Sequence, residues 1–76
     1  MYSKAIQQAE KTFRTAIFAN AAQFDMDTVH RAESLLLKAR ALSNSDPIKS
    51  KSLAENAQLI ALEAIAKTQS EKLLFL

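Results

Sequence analysis

Seventy-six residues without a single glycine leave a chain few ways to turn. Glycine takes positive φ at no steric cost and lets backbones approach closely. Without it, phosphate-cradling loops, dinucleotide fingerprints and tight hairpin turns are closed to this sequence. What remains favours helix. Fourteen Ala and ten Leu dominate one Val, five Ile and four Thr, and Ala and Leu are strong helix formers. The length allows one small domain, residues 1–76, whose core is marginal without help. Cysteine is absent and His30 is the sole histidine. Disulfides and Cys-based zinc sites are therefore excluded, and imidazole metal cages largely so. No metal or cofactor is expected, and stability has to come from helix packing or oligomerisation.

The pattern predicts an all-α fold: a three-helix antiparallel up-down-up bundle with a long third helix. The first helix is expected over about 3–22, ending at Asn20 or Ala22, with Ser3 as its N-cap. Tyr2, Ile6, Ala9, Phe13, Ala16 and Ile17 mark its apolar face in steps of three and four. Asp25 or Asp27 caps the second helix, about 26–43, whose stripe is Val29, Ala32, Leu36 and Ala39, widened by Leu35 and Leu42. Ser43-Asn44-Ser45-Asp46-Pro47 punctuates the chain most clearly. Asp46 suits an N-cap and Pro47 the first helical position, where a missing N–H costs nothing. Ser52-x-x-Glu55 forms a second start signal, a capping box. The third helix thus begins at Pro47 or at Leu53 and runs to about 72. Phe13, Leu36 and Ile60, each in mid-helix on its stripe, are expected to meet in the core.

Two apolar faces distinguish that third helix. Leu53, Ala57, Ile60, Ala61 and Ala64 form one; Leu59, Leu62, Ala66 and Leu73 lie roughly opposite at 100° per residue. Such a helix is central in its bundle or has a second partner. At about 39 Å, against about 27 Å for the second helix, its last turns are expected to overhang. The chain then ends Leu73-Leu74-Phe75-Leu76, an apolar group that calls for cover. Leu59, Leu62, Ala66, Leu73, Leu74, Phe75 and Leu76 are accordingly the candidate partner interface, for another protein or a second copy. Phe18, off the main stripe of the first helix, is a further candidate contact residue. Ala9-Glu10, Ala32-Glu33 and Ala54-Glu55 recur, each with another Ala seven residues after the first, at Ala16, Ala39 and Ala61. An alanine-rich heptad produces such a repeat readily. Small residues on the inner faces imply close helix–helix approach.

Signals for chemistry are thin. Asp27-x-x-His30 sets a carboxylate one turn before the imidazole, yet a solvated residue in the first turn of a helix explains His30 better. Glu10, Glu33, Glu55 and Glu63 flank apolar stripes as solvated helix edges do. An enzyme is not expected. In an up-down-up bundle one end gathers Lys4, Lys38, Arg40, Lys49 and Lys51 against Asp46. Lys49 and Lys51 sit in the first turns of the third helix, where the dipole disfavours cations. Lys38, Arg40, Lys49 and Lys51 are therefore candidate contacts for an anion, such as a lipid headgroup at a membrane surface or a phosphate, with ordinary solvation the simpler reading. The basic residues are not interleaved with aromatics, which argues against nucleic acid.

Ala5-Ile6-Gln7-Gln8-Ala9-Glu10, Ala19-Asn20-Ala21-Ala22-Gln23-Phe24, the run from Ala32-Glu33 to Ala41-Leu42, and Ser52-Leu53-Ala54-Glu55-x-Ala57 together cover nearly the whole chain. They resemble a family of short alanine-rich bacterial envelope proteins. Its members are often lipoproteins of uncharacterised function, sometimes fused to an OmpA-like peptidoglycan-binding domain. The resemblance implies a periplasmic, outer-membrane-associated helical bundle tethered by an N-terminal lipid, with no catalytic residues to carry over. Apart from it, no apolar run is long enough to span a membrane and Met1-Tyr2-Ser3-Lys4-Ala5 lacks a signal-peptide core. That pattern reads as cytoplasmic, or as a chain whose targeting segment has been removed. The function expected is a helical scaffold or interaction module in the envelope, or alternatively a self-assembling subunit of an oligomer or filament.

Overall fold

The computed structural model describes residues 3–74, leaving aside the side chains of Phe24, Lys72 and Leu74. Helix α1 spans Lys4–Phe18, the single-turn α2 Ala21–Phe24, α3 Met26–Leu42 and α4 Pro47–Leu74. No strand occurs among the described residues, and the fold is all-α. Each long helix starts on its own cap. The Ser3 hydroxyl accepts from the Ile6 N–H at 3.2 Å, Asp25 Oδ1 from the Thr28 N–H at 3.3 Å, and Asp46 Oδ1 from the Lys49 N–H at 3.2 Å. Of the two start signals for the last helix, Asp46-Pro47 is used, and the Ser52-x-x-Glu55 box lies inside α4.

The first helix ends at Phe18, just before the nearer of its two expected ends, Asn20 and Ala22. Asn20 adopts φ 62°, ψ 34°, the left-handed region. The Ala19 N–H closes on the Thr15 carbonyl and the Asn20 N–H on the Ile17 carbonyl, each at 3.0 Å. Helices commonly terminate on such a residue, usually glycine, and asparagine is the side chain that best tolerates the role. In a chain without glycine Asn20 takes it, and the expected tail of the first helix becomes the separate turn α2.

Three contacts fix the directions. Arg40 of α3 meets Glu10 of α1 at 3.2 Å. The Ser50 hydroxyl of α4 donates to the Ala39 carbonyl of α3 at 2.6 Å. Lys67 of α4 meets Asp25, the cap of α3, at 3.0 Å. Ile6 and Ala9 cluster with Ala54 and Ala57, and Ala16 with Ala64. So α1 runs parallel to α4, and α3 runs antiparallel to both. Helix α4 is central: it packs along α1 and along α3, which touch each other far less. The molecule measures 47 × 19 × 14 Å, its long axis matching the roughly 42 Å of a 28-residue helix.

The core is built from small residues. Nine of the twelve buried apolar residues are alanine; the others are Ile6, Val29 and Leu36. The recurrent pairs Ala9/Ala16, Ala32/Ala39 and Ala54/Ala61 are all buried, so the alanine repeat marks the inner face of each helix. On α4 the buried positions are Ser50, Ala54, Ala57, Ala61, Ala64 and Thr68, alternating steps of four and three. Ala57, Ala61 and Ala64 are buried as expected, and the inner face departs from the expected one at Leu53 and Ile60. Leu53 and Ile60 are half-buried at its edge, and Ile60 lines a surface depression with Arg31, Ser34, Leu35 and Lys38. Phe13 packs between two clusters, one holding Leu36 and the other Val29, but Ile60 belongs to neither, which corrects the expected Phe13–Leu36–Ile60 contact. The reason is steric: a seam of Ala, Ser and Thr lets helices approach where a branched side chain would hold them apart.

Candidate interaction surface

A seam of small residues makes α4 lopsided. Its inner side is filled with alanine, so its larger apolar side chains must go elsewhere. Leu53, Ile60 and Ile65 are half-buried along the flanks. Ile48, Leu59, Leu62 and Leu73 point away and are 86%, 64%, 47% and 70% exposed. Ala66, on the same side, is exposed as well. The structure thus places Leu59, Leu62, Ala66 and Leu73 together on one open face of α4, and adds Ile48, which pattern reading had left out. The Leu74 side chain is not described, and Phe75 and Leu76 lie outside the described residues. So does Tyr2 of the first stripe.

The face is continuous with a shallow groove between α4 and α1. Leu62, Ile65 and Gln58 form one wall, and Gln8, Thr12 and Thr15 the other. The α1 wall is polar but uncharged apart from Lys11 at its edge. Elsewhere Phe18 is 85% exposed, in keeping with its place off the main stripe, and Met26 and Leu37 are also open, at 59% and 55%. These lie on other helices and do not extend the α4 face along its axis.

Two ionic contacts brace the bundle behind this face. Asp25 receives the Thr28 hydroxyl at 2.7 Å and Lys67 at 3.0 Å, with Glu63 a further 3.8 Å from the same ammonium. The Thr28 hydroxyl and then Lys67 hold the Asp25 carboxyl below its ordinary value, and the hydrogen bond and charge of Asp25 raise Lys67 above its own. The Glu10–Arg40 pair ties α1 to α3 at the other end. Every buried side-chain N or O atom among the described residues is hydrogen-bonded; Thr68, for example, donates to the Ala64 carbonyl at 2.8 Å.

The four basic candidates do not form one cluster. Arg40 is engaged by Glu10. Lys38 and Lys49 border one shallow depression with Ala41, Leu42 and Leu53. Lys51 is exposed, and its position two residues past Lys49 turns it to the other flank of α4. His30 is exposed on α3. Among the described residues no group of three or more acidic, His or Cys side chains is placed to hold a metal ion, and no helix is long and apolar enough to cross a membrane. No family model, curated protein or solved structure matches this chain.

Proposed function

We propose that this chain works as a non-enzymatic helical interaction module whose docking surface is the outer face of α4, and, from its sequence resemblance, that it does so at the bacterial cell envelope. One observation carries the docking role: Leu59, Leu62 and Leu73 stand exposed in one row on a helix whose fully buried residues all lie on the opposite side. Scattered surface leucines are ordinary, but a row on a single helix face resembles the apolar stripe that helices bury against partners. Covering each such side chain removes about 1.5–3 kcal/mol worth of apolar surface from water, before the entropy of association is subtracted. The small-residue seam supports the same reading, because it lets α4 hold its own bundle while keeping its leucines for an outside contact.

The test is a photo-activatable cross-linker placed in turn at Leu59, at Leu62 and at Ser34, an exposed position on α3, in cells that make the protein. The docking role predicts the same discrete adduct from Leu59 and Leu62 and none from Ser34. No adduct at Leu59, or the same adducts from all three positions, would remove it. The self-assembling alternative is favoured by a separate observation, the order of residues along the face.

A further inference from the structure

Steps of four and three along the outer face of α4 visit Ile48, Ser52, Glu55, Leu59, Leu62, Ala66, Gln69 and Leu73, and every one of these is exposed. This is a heptad seam of the kind that binds another helix. Its order is close to a mirror image about the midpoint between Leu59 and Leu62. Ile48 reflects onto Leu73, Ser52 onto Gln69 and Leu59 onto Leu62, so apolar falls on apolar and polar on polar. Only Glu55 falls on a residue of another kind, Ala66. A two-fold interface requires a surface complementary to itself, and a mirrored seam meets that condition when two helices lie antiparallel.

We propose that the occupant of this face is a second copy of the same chain, its α4 antiparallel to the first, with Leu59 against Leu62 at the centre and Ile48 against Leu73 at both ends. The inference rests on the outer face of α4 being the docking surface and names what docks there. Antiparallel pairing is preferred over parallel for two reasons. In register, a parallel pair sets Glu55 against Glu55, whereas the antiparallel pair sets it beside Ala66, where the carboxylate can reach the rim along its own stem. Opposed helices also bring each positive N-terminus beside a negative C-terminus.

The seam is about 37 Å long and about one helix wide. That is on the order of 400 Å² per copy, below the roughly 800 Å² per partner of a stable specific interface. The dimer is accordingly weak and concentration-dependent. Glu55 is the one charge in the seam, so Glu55→Gln strengthens association about tenfold, and Leu59→Glu/Leu62→Glu weakens it by about a hundredfold or more.

Because the chain has no cysteine, single-cysteine variants read the geometry directly. Ile48→Cys and Leu73→Cys alter two exposed positions, and circular dichroism of each variant checks that its helix content is kept. One variant is labelled with ¹⁵N, and each variant alone and the reduced mixture of the two are then oxidised in air. Antiparallel pairing predicts disulfide-linked dimers of one labelled and one unlabelled chain from the mixture, and few from either alone, since each Cys would lie about 37 Å from its copy. Efficient cross-linking of Ile48→Cys with itself would overturn the antiparallel arrangement. A wild-type mass that stays monomeric to millimolar concentration in sedimentation equilibrium would overturn the second-copy occupant. If the Leu59 photo-cross-link then joins a chain of different mass, the docking face stands and only its occupant is wrong. If that cross-linker captures nothing, the docking face itself falls.

Discussion

Asn20 shows how a chain without glycine ends a helix. Its left-handed φ of 62° would cost most side chains about 1–2 kcal/mol. Asn20→Ala is therefore expected to lower the unfolding free energy by about 1 kcal/mol, readable as a shift of the urea midpoint with unchanged slope. Asp25 carries a second prediction. Its carboxyl is held low by the Thr28 hydroxyl and Lys67, so its contribution is complete above the ordinary aspartate pKa of about 3.9 and fades as pH falls through the lowered folded value. Lys67 is raised, and its contribution is complete below the ordinary lysine pKa of about 10.4 and fades as pH rises through the folded value. The melting-temperature gap between wild type and Asp25→Asn should stay constant between about pH 5 and 9 and close toward pH 2. A gap that widens in acid would contradict this account of the Asp25 contact.

At the scale of the element, the helix starts were legible to within two alternatives, Asp25 or Asp27 and Asp46 or Ser52, and the inner face of α4 only in Ala57, Ala61 and Ala64. Ser3, Asp25, Asp46 and Pro47 are strong, local start signals whose chemistry acts within one turn, and the helices begin where they stand. Asn20 was one of the two expected ends of the first helix; what the pattern did not show is that its left-handed turn opens a separate α2 at Ala21. On α4, apolar periodicity placed Ala57, Ala61 and Ala64 on the inner face as found, but put Leu53 and Ile60 beside them; Ala54 entered only through the Ala-Glu repeat, and Ser50 and Thr68 went unremarked. Hydrophobicity scales weight leucine and isoleucine above alanine, serine and threonine, whereas a close helix contact selects by size. The outer face was legible for the same reason: Leu59, Leu62 and Leu73 stand out by hydrophobicity, Ala66 falls in step with them, and no competing requirement moved them inward. Ionic partners such as Glu10–Arg40 and Asp25–Lys67 join residues far apart in the chain, and no local pattern announces them.

On the scale of the whole molecule, one helix serves two surfaces. The seam of Ser50, Ala54, Ala57, Ala61, Ala64 and Thr68 holds α4 between α1 and α3, and the row of Ile48, Leu59, Leu62 and Leu73 faces outward. Small side chains thus fill the inner side of α4, Leu53 and Ile65 pack at its flanks, and the outward leucines matter least for folding, the reverse of the usual order in a core. The most direct test is thermal unfolding by circular dichroism, in chains dilute enough to be single, of Ala57→Leu/Ala61→Leu beside Leu59→Glu/Leu62→Glu. Overpacking a tight seam costs about 1–3 kcal/mol per site, a large part of what so small a domain has, so the alanine variant should melt far below wild type or fail to fold. The glutamate variant should keep its helical signal and melt within a few degrees of wild type. An alanine variant as stable as wild type, together with a glutamate variant that unfolds, would contradict the account and place the leucines inside.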